Sequence, residues 1–216
     1  MAHGVCAKVA CGVLLLTAGG VAFGQPIVNG DFSSGLTGWT TTGPVSDGGG
    51  FAVLEEGTIL MLTSLEQQFV LPVGAKSLSF DYGLSSMPDG TSGFPFADGL
   101  SASLLDPATL DPILSTPGFS DFFFEDRAGA QSFDPSLVSI VGNRVTLDLT
   151  SVPDGTNALI VFDLLGGDDG FATQATIDNV AVFIPAPGAG LLAMIGLPLL
   201  GRIRRRIRTA PQASRG

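Results

Sequence analysis

Carboxylates are almost the only reactive groups this 216-residue chain offers. All twenty Asp and Glu lie between Asp31 and Asp178, whereas the single histidine, His3, and both cysteines, Cys6 and Cys11, precede them. A stretch without His or Cys cannot build a Ser-His-Asp or Cys-His nucleophile. It also excludes imidazole or thiolate zinc sites and any internal disulfide. Carboxylates alone can hold a hard cation such as calcium, which takes about six to eight oxygens. They can also act in pairs across a glycosidic bond. With so many acids, some pair meets any given separation by chance, and no motif singles out one acid with its partner. The expectation is therefore a non-catalytic protein, with a two-carboxylate, glycosidase-like enzyme as an alternative.

Non-catalytic sugar recognition needs an aromatic face that can stack on C–H bonds. Trp39 and Tyr82 are the only tryptophan and tyrosine, and they are the candidate carbohydrate contacts. Both also have a core reading, because large aromatics are buried as a rule. The fifteen phenylalanines are expected mostly in the core. Phe122, Phe123 and Phe124 cannot all face inward on one strand, since neighbours point to opposite faces.

Charge narrows the partners. Between residues 25 and 184, Lys76, Arg127 and Arg144 are the three cations set against twenty acids. The formal charge of this segment is −17, where that of the whole chain is −10. Such a surface repels nucleic acid, so no nucleic-acid partner is expected. It suits calcium and uncharged sugars. Asp168-Asp169-Gly170 is an oxygen-rich turn that could contribute to a calcium site, although its spacing is not that of an EF-hand loop.

The elements that must position these groups are all strands. Runs rich in Val, Ile, Leu, Phe and Thr alternate with Gly, Pro, Asp and Ser clusters. Strands are expected at 51–54, 58–63, 66–71, 77–83, 99–105, 119–124, 144–150, 157–163 and 174–184. Lys76–Tyr82 and Arg144–Thr150 alternate polar and apolar residues, the period-two signature of a half-buried strand. Residues 85–98 and 106–118 read as long loops, where recognition commonly sits. The fold class is all-β, an antiparallel β-sandwich of the jelly-roll kind spanning 25–184.

Both ends read as addresses. Residues 1–24 combine Lys8, an apolar core and Ala22-Phe23-Gly24, a signal peptide with cleavage expected between Gly24 and Gln25. At the other end Pro185-Ala186-Pro187 precedes an apolar stretch. Arg202, Arg204, Arg205, Arg206 and Arg208 follow it, and residues 209–216 read as a disordered tail. An apolar span near 188–203 is a marginal transmembrane helix, with the arginines expected on the cytoplasmic side.

This three-part ending at 185–208 resembles the PEP-CTERM sorting signal of exopolysaccharide-producing Gram-negative bacteria, with Ala186 where the usual motif has Glu. The resemblance implies an exosortase-type membrane protease as partner. It also implies export across the inner membrane and C-terminal anchoring, then the cell surface or extracellular matrix. Separately, Val28-Asn29-Gly30-Asp31-Phe32 with Gly38-Trp39, and Ile177-Asp178-Asn179-Val180-Ala181-Val182, resemble the opening and closing strands of galactose-binding-like jelly rolls. That group includes several carbohydrate-binding modules. The likeness implies a core position for Trp39. It also implies a structural calcium near Asp178 and Asp31, although Ser33 stands where relatives often carry Glu. The expected function is a surface-sorted protein of an exopolysaccharide or biofilm matrix that binds carbohydrate. The alternative is an acidic matrix protein acting through calcium or solvation without sugar specificity.

Overall fold

Period-two alternation carries through into thirteen strands among the residues described by the computed structural model: 27–57, 62–85, 98–118, 121–127, 129–166 and 172–185. Two antiparallel sheets result. The first runs β1 (Thr40–Thr42), β4 (Leu62–Val70), β12 (Asn157–Leu165), β6 (Gly99–Leu105), β8 (Phe124–Arg127) and β9 (Ala130–Phe133), with β7 (Pro112–Leu114) also paired to β6. The second runs β10 (Val138–Val141), β11 (Arg144–Asp148), β5 (Ser77–Ser85), β13 (Gln174–Phe183), β3 (Ala52–Glu55) and β2 (Val45–Asp47).

Each long strand turns alternate residues inward. On β5 these are Leu78, Phe80 and Tyr82, and on β11 Val145 and Leu147. From the other sheet come Leu65 and Phe69 on β4, and Ala158, Ile160, Phe162 and Leu164 on β12. The two faces share one core. Phe80 is its aromatic hub: its ring lies 4.8 Å from Phe162 across the sandwich, 6.1 Å from Phe124 and 6.4 Å from Phe123. Edge-to-face contacts of this kind add to the area they bury.

The strand expectations hold for the long elements and change at the short ones. Residues 58–61 of the run expected at 58–63 lie outside the described residues; its end continues into the run expected at 66–71 as one strand, Leu62–Val70, because Thr63, Leu65, Gln67 and Phe69 keep a single alternation. Of the strand expected at 119–124, residues 119–120 lie outside the described residues and the regular strand β8 starts only at Phe124, running through Glu125 and Asp126 to Arg127. Phe123 lies just before the regular strand, which lets it and Phe124 both bury completely. The long loop expected at 106–118 carries β7. The unforeseen β1, β2, β7, β9 and β10 have three or four residues each, too few to display a period.

The leader 1–24, Gln25, the Asp168-Asp169 turn, Ala186, Pro187, the span at 188–203, its arginines and the tail 209–216 lie outside the described residues. Among the described residues no helix is long and apolar enough to cross a membrane. Pro185 is exposed two residues beyond the end of β13.

Candidate functional site

The opening and closing motifs dock on each other. The Val180 N–H donates to the Gly30 carbonyl at 2.8 Å. A β-carbon on Gly30 would stand 1.9 Å from the Val180 carbonyl oxygen, so only glycine allows this approach. β13 bulges between Asp178 and Ala181, where Asn179 takes a left-handed φ of 52°. Asn29 organises the opening loop. Its side-chain amide donates to the Gly35 and Thr37 carbonyls, and its Oδ1 accepts from Ser34 N. Its carbonyl accepts the Trp39 indole N–H at 3.1 Å. Gln67 ties the same loop to β4 through Val28 and Gly38.

Trp39, a candidate sugar platform, is therefore a core residue. It is 8% exposed, stacks on Phe32 at 5.2 Å and leans against Phe162 at 6.2 Å. Buried in this way, the indole offers little face to a sugar.

Asp31 lines a polar hollow of about 290 Å³ together with Asn29, Gly30, Ser79, Arg144 and Asn179 among others, and Asp178 on β13 immediately precedes Asn179. The acids there already have donors. Asp31 accepts from the backbone and hydroxyl of Ser33, which holds its carboxyl below the usual range. Asp178 accepts from the backbone and side chain of Asn179. Asn179 also donates to Asp81. Arg144 clamps Asp81 with two hydrogen bonds of 2.7 and 2.8 Å, and this pairing keeps the Asp81 carboxyl low. Among the described residues no group of three or more acidic, His or Cys side chains could hold a metal. The cation in this neighbourhood is a guanidinium.

Tyr82, the other aromatic candidate, has a different setting. Its ring packs edge-on against Phe124 at 5.0 Å, while its hydroxyl reaches polar groups at the end of the sandwich. The phenol donates to Asp126 Oδ2 at 2.8 Å and accepts from Gln131 Nε2 at 2.7 Å. Asp126 points inward from β8 and is 5% exposed; its Oδ1 accepts the Gly129 N–H. The Tyr82 N–H donates to the Asn143 carbonyl. Tyr82, Gly83, Leu84, Asp126, Gly129, Gly142 and Asn143 enclose a hollow of about 240 Å³. Carboxylate, phenol and amide thus converge on a concave site walled by three glycines. Nothing in the run Glu125-Asp126-Arg127 suggested an inward acid. The available signal was Phe124-x-Asp126, one more step of period two.

Burial, followed by the Asp126 carboxylate, pushes the Tyr82 phenol from 10.0 up to about 12. Tyr82 is the only tyrosine, so the phenolate ultraviolet band reports on it alone. An absorbance titration should show a midpoint near 12. Because the folded-state value is raised, this contribution to stability is complete below about pH 10 and is lost as pH rises towards 12. A midpoint near 10 would mean that the buried phenol–carboxylate bond does not form.

A third cavity, a groove of about 420 Å³, runs over the outer face beside Lys76, Ser77, Ser139, Thr146 and Asp148. It has hydroxyls but no aromatic side chain. None of these three cavities brings together two carboxylates, the pairing a glycosidase mechanism needs. On the outer face of the first sheet Asp163 accepts from Ser64 at 2.5 Å, and burial raises its carboxyl.

No protein-family model matches the chain, and no curated protein matches it. Similar solved structures include the module TmCBM61 in complex with β-1,4-galactotriose, at 12% identity and a TM-score of 0.44, covering 74% of this chain and 98% of that one. CBM28, a carbohydrate-binding module specific for non-crystalline cellulose, gives 16% and 0.42, covering 74% and 96%. The enzymatically active domain of tailspike protein 4 from bacteriophage CBA120 gives 14% and 0.43, covering 74% and 21%. Likenesses this distant carry no argument about a ligand or a reaction.

Proposed function

We propose that this chain is an exported, surface-sorted, non-catalytic jelly-roll protein of an exopolysaccharide or biofilm matrix, and that it binds carbohydrate. The binding part rests on one observation: Tyr82 and Asp126 meet in a solvent-open hollow with the Asn143 amide at its wall. Sugar hydroxyls both donate and accept, and a carboxylate beside amides answers both roles. Sorting rests on the leader, the Pro185-Ala186-Pro187 motif, the apolar span and the terminal arginines. An exosortase-type protease is the partner for that tail.

Burial of Trp39 and the charge of −17 favour a second reading, an acidic matrix protein acting through solvation or bridging calcium. The two readings part in one experiment. The full chain in detergent is screened against purified exopolysaccharide and a glycan array, with calcium and with chelator. Saturable binding to one glycan class in both conditions is the expected result. No glycan binding, together with assembly that depends on divalent ions, would replace the first reading with the second.

A further inference from the structure

We infer that the Tyr82 hollow accepts a single ring of an uncharged glycan and discriminates against acidic sugars; this rests on the carbohydrate-binding reading above. Size limits the occupant. At about 240 Å³ the hollow falls below the roughly 300–1,000 Å³ of sites for drug-sized ligands, so it suits one monosaccharide unit. Gly129 and Gly142 border open space, since a β-carbon on either would meet no atom within 4 Å.

The polar groups specify hydroxyls. Asp126 uses one oxygen for the Tyr82 phenol and the other for the Gly129 N–H. A carboxyl oxygen can accept more than one hydrogen bond, so these oxygens can also take a sugar hydroxyl. Asn143 is exposed at the wall, and its backbone carbonyl accepts from the Tyr82 N–H. Gln131 stands opposite Asp126 across the β8–β9 pair and steadies the phenol from outside. Carboxylate, amide and an aromatic edge together form a donor–acceptor set for neighbouring hydroxyls.

Charge sets the selectivity. No lysine or arginine lines the hollow, and its one ionisable carboxyl belongs to Asp126. Both body arginines are engaged elsewhere, Arg127 on Glu125 at 2.6 Å and Arg144 on Asp81 at 2.7 Å. A uronic acid would bring its carboxylate beside Asp126 in a segment of formal charge −17, and like charges at close range disfavour each other.

The test is calorimetric titration of the full chain in detergent with neutral and with uronic-acid oligosaccharides of equal length. Three proteins are compared: wild type, Asn143→Ala at the wall, and Thr146→Ala in the separate hydroxyl groove. The expected result is saturable binding of neutral oligosaccharides and at least tenfold weaker binding of uronic ones. Asn143→Ala should weaken neutral binding about tenfold, in line with a lost hydrogen bond, and Thr146→Ala should leave it unchanged. Equal affinity for acidic sugars, or no effect of Asn143→Ala, would overturn this inference while leaving carbohydrate binding intact. Absence of binding by either class would overturn both.

Discussion

Replacing Phe80 with Ala lowers the unfolding free energy by about 3–5 kcal/mol, the usual cost of removing a fully buried phenylalanine. Phe80 is completely buried and meets Phe162, Phe124, Phe123 and Tyr82, so its loss opens a cavity that touches both sheets. No cysteine lies between residues 25 and 184, so no disulfide can offset the loss there. A domain of this size has about 5–15 kcal/mol in all. Urea denaturation followed by Trp39 fluorescence measures the effect, since the single tryptophan is buried against Phe32 and Phe162. A loss under about 1 kcal/mol would contradict the hub role of Phe80.

Gly30→Ala is the second large effect, with an expected cost of about 2–4 kcal/mol from overpacking and a weakened backbone hydrogen bond. The added methyl would sit 1.9 Å from a main-chain oxygen, so the opening loop must part from the β13 bulge. Gly49→Ala is the comparison. Gly49 has a φ of 82° and open space around it, so alanine there meets backbone strain without a clash. Thermal melting should place Gly30→Ala well below Gly49→Ala. Equal melting temperatures would mean that the two motifs are not clasped.

Those motifs show what a sequence discloses and what it withholds. Asn29-Gly30-Asp31-Phe32 and Asp178-Asn179-Val180 stand out as short patterns at the two ends of the body. Their mutual docking depends on a contact across 150 residues that no local pattern encodes. Alternation places Asp81 and Arg144 on the wet faces of β5 and β11, but their pairing appears only with the register that sets them opposite each other. That ion pair borders the closing motif, where Asn179 also donates to Asp81. The long strands were readable because seven or more residues display a period. The three-residue strands Thr40–Thr42 and Val45–Asp47 were not, since their pairing partners define them more than their own side chains do.

The candidate site follows the same division. Trp39 and Tyr82 were nominated by residue type, and packing separates them: one indole closed between Phe32 and Phe162, one phenol reaching a cavity. Asp126 was hidden because Glu-Asp-Arg has the composition of an exposed loop, yet the frame set by Phe124 turns its carboxylate inward.

The most direct measurement is the side-chain amide NMR spectrum of the full chain in detergent, recorded as a neutral oligosaccharide is added. Binding in the Tyr82 hollow predicts saturable shifts of the Asn143 and Gln131 amides and of the Tyr82 ring, with Gln67 and Asn29 unmoved. Shifts confined to Asn29 and Asn179, or none at saturating sugar, would contradict it.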